Sequence, residues 1–336
     1  MEASLPLVSV VIPVYNVECY VEACIQSVIE QNYANKEIVI VDDGSTDETL
    51  KIVHRYSSVY KCIIVLEQTN KGPALARKNG MDIAKGKYIQ FLDGDDMLLP
   101  DALVNLVRCA EESKADIVAM GFYFCRFQEE KERSVAYTFD KTMGVSYFKE
   151  ILDGRGYWSL WAHFQKRSLF YDYGVEIVPD IYFGEDAIWM TQLLLHNPKV
   201  AALNKPILNY NINSNSISYR QDIARKRHDD YRLFQVWIED YVKKCGYWNE
   251  FEKAFAILHL ETSQVSIQRR RYDKTFSDIK RIADSVAIYP EVANRLSGKL
   301  LKLVYSYKKS TVWAYLRLRY YLSLIHISEP TRPLYI

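Results

Sequence analysis

The segment Lys87–Asp96 reads KYIQFLDGDD, a short apolar run that ends in three carboxylates within four residues. The run KYIQFL has the length and composition of a buried β-strand. Three adjacent carboxylates repel one another unless a cation or solvent screens them. Mg²⁺ and Mn²⁺ accept one or two such oxygens and complete their coordination with water and phosphate oxygens. The segment therefore predicts a strand followed by a metal site; a solvated acidic turn that caps the helix after Pro100 is the alternative.

Residues 1–120 alternate apolar runs with amphipathic stretches of about 10–15 residues, which is typical of right-handed βαβ units. This pattern predicts an α/β fold with a mostly parallel sheet covered on both faces. In such sheets ligands bind beyond the carboxyl ends of the strands, where the acidic segment falls. The predicted strands are Leu7–Pro13, Glu37–Val41, Cys62–Leu66, Lys87–Leu92 and Asp116–Met120, and the predicted helices are Val21–Gln31, Pro73–Lys85 and Pro100–Ser113.

A second polar cluster, Asp42-Asp43-Gly44-Ser45, follows the second predicted strand. A carboxylate at this position can accept the N3–H of a uracil ring, and glycine lets the chain turn tightly. Ser45 and Glu48 have the spacing of a capping box, so we expect a helix that begins at Ser45. Asp42 is not needed for that cap, so capping and base recognition are compatible.

Two further clusters carry weaker signals. Arg77 lies on the helix that enters the KYIQFL strand and could reach phosphate or ribose as a fixed cation; an exposed, solvated arginine is the alternative. Glu185 and Asp186 open an apolar helix after Gly184. Acids in a first turn are favoured by the helix dipole, which explains them structurally. One of them could also take a proton from a substrate hydroxyl.

Composition excludes several classes of protein. The 336 residues carry 43 Lys and Arg against 42 Asp and Glu, which gives no electrostatic reason to expect nucleic acid. There is no apolar run of the length that spans a bilayer, and the N-terminus lacks the basic region of a signal peptide. The six cysteines are scattered without CxxC pairs and are expected to be reduced core residues. We therefore expect a cytoplasmic protein.

In combination, these segments resemble the family 2 glycosyltransferases of GT-A fold, of the type found in bacterial polysaccharide synthesis. The resemblance runs in order over residues 7–215. It implies a nucleotide-diphospho-sugar transferase with a Rossmann-like, mostly parallel sheet. The segments are VVIPVYN at 10–16, VDDGSTD at 41–47, NKGPALARKNG at 70–80, KYIQFLDGDD at 87–96 and GED at 184–186.

The resemblance also implies roles for individual residues. Pro13, Tyr15 and Asp42 would line the nucleoside pocket, with Asn70 and Arg77 nearby. Asp93, Gly94 and Asp95 would form the DxD element, in which Asp95 is the best ligand for Mn²⁺ or Mg²⁺ and Asp93 the second. Asp186 would be the general base, and Glu185 would help to place donor or acceptor.

The implied reaction is an inverting, metal-dependent transfer of one sugar from an NDP-sugar, with UDP expected, to a glycan or lipid-linked saccharide. Processive relatives carry QxxRW beside membrane spans, whereas residues 268–272 read QRRRY. Two alternatives remain at this point. One is an NDP-sugar nucleotidyltransferase, although the loop after the first strand lacks the expected glycine and basic residues. The other is a non-catalytic nucleotide-sugar-binding subunit.

We expect a catalytic domain over residues 1–220, with a nucleotide half at 1–120 and an acceptor half at 121–220. A helical C-terminal region should follow over residues 221–322. Its basic, aromatic part, 299–322, is either a packed helix with solvated lysines or an anchor on anionic lipid at the inner face of the plasma membrane. Residues 323–336 (SLIHISEPTRPLYI) resemble translated sequencing adapter and are expected to be a non-native tail.

Overall fold

The computed structural model describes residues 5–125, 131–137, 139–179, 181–213, 224–268 and 275–289. The parallel half of the sheet has the strand order β3-β2-β1-β4, and every pair in it is parallel. Its β-branched strands are buried because helices cover both faces. The elements are β1 (Val8–Val14), α1 (Val21–Ile29), β2 (Lys36–Asp42), α2 (Thr49–Val59), β3 (Ile63–Glu67), α3 (Pro73–Ile83) and β4 (Tyr88–Phe91).

The sheet continues from β4 in the order β9-β6-β10-β5. β9 is antiparallel to both of its neighbours, β4 and β6, whereas β10 is parallel to β6. Two further strands, β7 and β8, pair antiparallel with β6 and β10. The elements are β5 (Met97–Leu98), α4 (Ala102–Ser113), β6 (Ile117–Cys125), β7 (Lys131–Ser134), β8 (Lys141–Met143), α5 (Gly144–Leu152), a 3₁₀ turn (Leu160–Ala162), β9 (His163–Lys166), α6 (Ser168–Asp172), α7 (Glu185–Leu195) and β10 (Lys199–Asn211).

The close approach of α3 to the sheet depends on Gly80. A Cβ atom at Gly80 would lie 2.5 Å from Val11 Cγ1 and 3.0 Å from Val41 Cγ2. The helix therefore rests directly on β1 and β2, where any larger residue would push it away. Arg77, one turn earlier on the same helix, is thereby held over the carboxyl edge of the sheet.

The C-terminal part of the chain is helical where it is described. One compact unit ends at Ile238 and a second begins at Glu239. The helices are α8 (Ala224–Lys244), α9 (Trp248–Gln268) and α10 (Thr275–Ile288). In the second unit α9 packs against α10, and the Lys243 ammonium lies 4.5 Å from the centre of the Trp248 ring. Among the described residues, no helix combines the length and the apolar character needed to cross a bilayer.

The α/β fold, its mostly parallel sheet and its helical C-terminal part confirm the predicted fold class. The predicted domain boundaries stay a prediction, and the segments 299–322 and 323–336 lie outside the described residues. The capping box is wrong: α2 begins at Thr49, and the Ser45 hydroxyl instead accepts a hydrogen bond from Asn16 N. All six cysteines lie in the described residues and form no disulfide, but Cys19 and Cys245 are exposed, so the expectation of six core cysteines is wrong.

Candidate active site

Arg77 is the centre of the site. Its side chain is 6% exposed and contacts three carboxylates, through Nη2 to Asp93 Oδ1 at 2.7 Å and through Nη1 to Glu185 Oε1 at 2.9 Å and Asp186 Oδ1 at 3.2 Å. Burial lowers the pKa of the guanidinium, but the charges of the three carboxylates outweigh it and raise this pKa above its ordinary value. Its Nε has no hydrogen-bond partner among the described residues. Arg77 therefore joins the acidic loop after β4 to the start of α7.

This arrangement differs from the solvated or phosphate-facing arginine that the sequence suggested. Glu185 lies 108 residues from Arg77 along the chain, so no local pattern indicates the contact. Binding of ribose or phosphate by Arg77 stays a prediction.

Asp186 and Glu185 lie in an environment that favours their neutral forms. Burial is the largest cause and raises the pKa of both groups, while the Arg77 charge opposes it. The balance raises the pKa of Asp186 to about 7. Asp186 Oδ2 also accepts a hydrogen bond of 3.2 Å from Leu160 N, which favours the ionised form. A carboxyl group with this pKa can accept a proton near neutral pH.

Gly184 sets the direction in which α7 begins. Its φ is +99°, a conformation that strains residues with a Cβ, and a Cβ there would collide with the Phe234 ring. The preceding backbone is fixed as well, since Asp230 Oδ2 accepts hydrogen bonds from Tyr182 N at 3.0 Å and Phe183 N at 3.2 Å. No sequence pattern indicates this role for Asp230, because the residue lies on another element, α8.

The acidic loop after β4 is tied to the end of β10. Asn211 N donates to Asp96 Oδ1 at 2.8 Å, Asn211 Nδ2 donates to the Asp95 carbonyl at 2.5 Å, and Asn213 Nδ2 lies 3.3 Å from Asp95 Oδ2. Burial, and then the charge of Asp93, raises the pKa of Asp95 to about 6. Burial also raises the pKa of Asp96 well above its usual range. Asp96 is therefore a structural residue, and Asp95 and Asp93 repel each other.

These residues fit the binding of a divalent cation. Burial and the neighbouring charge of Asp93 raise the pKa of Asp95, and a bound cation would relieve both effects. No group of three or more His, Cys, Asp or Glu side chains in the described ranges has the arrangement of a metal site. Mg²⁺ and Mn²⁺ commonly use one or two carboxylates together with substrate phosphates, so a smaller set of protein ligands is compatible with them.

Asp42, at the end of β2, holds a turn with one carboxylate oxygen and leaves the other available to a ligand. Its Oδ2 accepts hydrogen bonds from Gly44 N at 3.1 Å and Ser45 N at 3.0 Å, so the side chain holds the turn as well. The residue is 2% exposed, and its Oδ1 has no partner in the part of the chain that the structure describes. A buried acceptor without a partner is costly, and a ligand N–H would satisfy it.

The remaining predicted pocket residues lie around the ends of β1 and β2. Tyr15 is 42% exposed. A Cβ on Gly94 would lie 3.2 Å from the Pro13 carbonyl oxygen, so the acidic loop passes directly over β1. Asn70 is exposed, and its backbone N would lie 2.9 Å from a Cβ on Gly44. The structure therefore brings these four positions to the same edge of the sheet.

Asp43 is a further residue whose role the sequence did not indicate. Its Oδ1 accepts hydrogen bonds from Gln68 Nε2 at 2.7 Å and Lys71 N at 2.8 Å, and its Oδ2 accepts one from Gly72 N at 2.8 Å. These contacts fasten the loop that leads into α3 to the end of β2. Asp43 thus positions the loop that contains Asn70.

Comparisons with known proteins agree with this geometry. Residues 9–172 match the sequence pattern described as Glycosyl transferase family 2. The uncharacterized glycosyltransferase EpsJ of Bacillus subtilis is 30% identical over 260 residues, which cover 75% of this chain and 72% of EpsJ. Glycosyltransferase GlyA of Streptococcus pneumoniae is 33% identical over 226 residues, 63% of this chain but 31% of GlyA.

A solved structure shares the fold over nearly the whole chain. Residues 1–349 of S. aureus TarS, in complex with UDP-GlcNAc, are 20% identical to this chain with a TM-score of 0.69, covering 94% of this chain and 92% of that one. The chain belongs to glycosyl transferase family 2. It is a glycosyltransferase, and its similarity to TarS confirms the predicted GT-A fold; the nucleotidyltransferase and the non-catalytic subunit are set aside.

Proposed function

We propose that this enzyme transfers one sugar from a UDP-sugar to a hydroxyl group of a glycan or lipid-linked saccharide, with inversion at the anomeric carbon. The observation that carries the proposal is the Arg77 cluster. A single buried guanidinium contacts Asp93, from the expected metal-binding loop, and Asp186, the expected base. Donor phosphates and acceptor hydroxyl would thus meet within one small site.

Recognition of the donor is assigned to the edge formed by β1 and β2. The buried Oδ1 of Asp42 is an acceptor without a partner among the described residues, which suits the N3–H of uracil. TarS, which has the same fold, has been solved with UDP and with UDP-GlcNAc. Pro13, Tyr15 and Asn70 complete the proposed nucleoside pocket.

Asp95 and Asp93 are the residues that would hold Mn²⁺ or Mg²⁺. When bound, the cation neutralises the negative charge that develops on the departing nucleoside diphosphate. Asn213 and the Asn211 contacts keep the acidic loop in place against β10. Gly94, between the two carboxylates, lets the loop pass close to β1.

Asp186 is the proposed general base. As the acceptor oxygen forms its bond to the anomeric carbon, the bond from that carbon to the diphosphate oxygen breaks, and the acceptor proton passes to Asp186. One base on the face opposite the leaving group gives inversion, and therefore a β-linkage from an α-linked donor. Glu185, held by the same guanidinium, would place donor or acceptor beside it.

The acceptor and the location belong to the same proposal. EpsJ and GlyA are bacterial glycosyltransferases, which favours an acceptor in surface polysaccharide synthesis. We propose that the enzyme acts in the cytoplasm and contacts the inner face of the membrane through residues 299–322. This location would suit a lipid-linked acceptor. Loss of binding to anionic vesicles after removal of residues from 299 onward would support this contact, and unchanged binding would contradict it.

The test is a screen of NDP-sugars with Mn²⁺ for release of nucleoside diphosphate and formation of a glycoside. Asp186→Asn and Asp95→Asn should each lower turnover by about 100-fold or more, since each removes a group used in the transition state. Asp172→Asn is the control, because Asp172 is an exposed carboxylate at the end of α6. Near wild-type turnover in Asp186→Asn would refute the base assignment, and an α-linked product from an α-linked donor would refute inversion.

A further inference from the structure

His163 is a fully buried histidine at the end of the 3₁₀ turn Leu160–Ala162. Both ring nitrogens have partners at hydrogen-bond distance. Nδ1 lies 2.8 Å from the Ser159 carbonyl oxygen, and Nε2 lies 2.8 Å from the Tyr147 hydroxyl. The imidazole therefore links α5, which carries Tyr147, to the residue that precedes the turn.

The partners determine where the proton lies. A carbonyl oxygen can only accept, so Nδ1 must carry the hydrogen and donate it to Ser159. Nε2 of the neutral ring then accepts from the Tyr147 hydroxyl. Burial lowers the pKa of His163 to about 4, so the ring stays neutral and keeps this tautomer at neutral pH.

The turn that His163 fixes also contacts the proposed base. Leu160 N donates to Asp186 Oδ2 at 3.2 Å, while Asp186 Oδ1 faces Arg77. The two carboxylate oxygens are thus held from different elements, one from α3 and one from the turn. Gln90 Nε2 donates to the Trp161 carbonyl at 2.8 Å, which holds the turn from its other side.

We propose that His163 is a positioning residue for the transfer reaction, which orients the Asp186 carboxylate by fixing the turn whose Leu160 amide binds it. The inference rests on Asp186 being the base. Since His163 is fully buried, it would contact neither donor nor acceptor. Its effect passes through one carbonyl, that of Ser159, and one amide, that of Leu160.

Packing alone does not account for this histidine. His163 is fully buried and its ring packs edge-on against the Tyr147 ring, with 5.6 Å between the ring centres; an apolar side chain is the ordinary choice at so buried a position. A buried imidazole is costly unless both nitrogens are satisfied, and here both are. The Nδ1 contact to Ser159 is the one that reaches the turn.

Two polar variants separate the two hydrogen bonds. In His163→Asn the amide nitrogen can take the place of Nδ1 and keep the bond to Ser159. In His163→Gln the longer side chain places its amide near Nε2, so the bond towards Tyr147 is kept and the bond to Ser159 is lost. Tyr147→Phe is the matched control, because it removes the same Nε2 partner and leaves the Ser159 bond intact.

Steady-state kcat, KM for donor and acceptor, and the melting temperature are measured for these three variants and for Asp186→Asn. We expect kcat of His163→Gln to fall roughly tenfold or more with donor KM nearly unchanged, because the base is misplaced while the nucleoside pocket is intact. His163→Asn and Tyr147→Phe should stay within about threefold of wild-type kcat even where their melting temperatures fall.

Wild-type kcat in His163→Gln would overturn the inference, and so would a loss of kcat in Tyr147→Phe or His163→Asn equal to that in His163→Gln. Asp186→Asn keeps the two proposals distinguishable. If Asp186→Asn retains turnover, the base assignment fails. If Asp186→Asn is inactive while His163→Gln is fully active, only the role of His163 fails.

Discussion

Removal of the Arg77 charge is the perturbation that tests the site most directly. Arg77→Met keeps much of the side-chain length but leaves Asp93, Glu185 and Asp186 close together without their shared cation. We expect a large loss of stability, because removing one partner of a buried ion pair leaves uncompensated charge. Arg155 provides a matched control, since it also contacts two carboxylates but its side chain is 48% exposed.

The size of the stability loss in Arg77→Met follows from the burial of the ion pairs. Breaking a buried ion pair costs about 3–5 kcal/mol. At about 2–4 °C per kcal/mol for a domain of this size, the melting temperature of Arg77→Met should fall by about 6–20 °C. An exposed pair contributes about 1 kcal/mol or less, so Arg155→Met should lose no more than about 4 °C.

The stability loss in Arg77→Met should depend on pH. Arg77 lowers the pKa of Glu185 and Asp186, so these groups bind more protons in the folded variant than in the folded wild type. The difference in unfolding free energy between wild type and Arg77→Met should therefore grow as the pH rises. Thermal melts at about pH 5 and about pH 8 measure it. A loss in Arg77→Met as small as in Arg155→Met, or a loss independent of pH, would refute the reasoning.

Four further outcomes are expected. Since the pKa of Asp186 is about 7, kcat should be about tenfold lower one pH unit below that value than at its plateau, and a flat profile through this range would contradict the assignment. Asp95→Asn should raise the melting temperature of the metal-free protein near neutral pH, because it removes a buried charge whose raised pKa corresponds to a loss of up to about 3 kcal/mol in unfolding free energy. The same variant should bind UDP more weakly in the presence of Mn²⁺ by calorimetry, and unchanged UDP affinity would argue against metal binding by Asp95. Asp42→Asn should weaken binding of UDP by about tenfold or more, and it should improve binding of CDP relative to UDP because the new amide can donate to cytosine N3. An unchanged ratio of the two dissociation constants would exclude the proposed uracil contact. Gly184→Ala should cost about 1–3 kcal/mol or more in unfolding free energy, measured by urea denaturation, because of the positive φ and the Phe234 ring, and a neutral effect would contradict this account of how α7 begins.

The parallel half of the fold could be predicted because its signals are local. β-Branched runs separated by amphipathic stretches placed β1 to β4 within a residue or two of their observed bounds. The antiparallel insertion of β9 between β4 and β6 could not be predicted, because pairing between strands distant in sequence leaves no periodic pattern. The capping box failed for a related reason. Ser45 bonds to Asn16, 29 residues away, instead of to its own helix.

The candidate site was predictable by residue type but not by connectivity. Carboxylates at strand ends suggested Asp42, Asp93 and Asp95, and the resemblance to a family suggested Asp186. No pattern in the sequence indicates that Arg77 is shared among acidic groups from two separate parts of the chain. Such contacts depend on the closeness of α3 and α7 in space, which only tertiary packing determines.

The hydrogen bonds that Asp43 accepts from Lys71 N and Gly72 N, just before α3, have a consequence for ligand binding. They join the loop after β2 to the eleven-residue helix α3, so the proposed nucleoside pocket and the Arg77 guanidinium, on the second turn of α3, belong to connected parts of the chain. A nucleobase that displaces this loop would act on the first turns of α3 and so change the contacts of the Arg77 guanidinium with Asp93, Glu185 and Asp186. We expect a ligand bound in the proposed nucleoside pocket to change the environment of Asp93, Glu185 and Asp186. This should hold even for a free nucleoside, which is too short to contact these carboxylates.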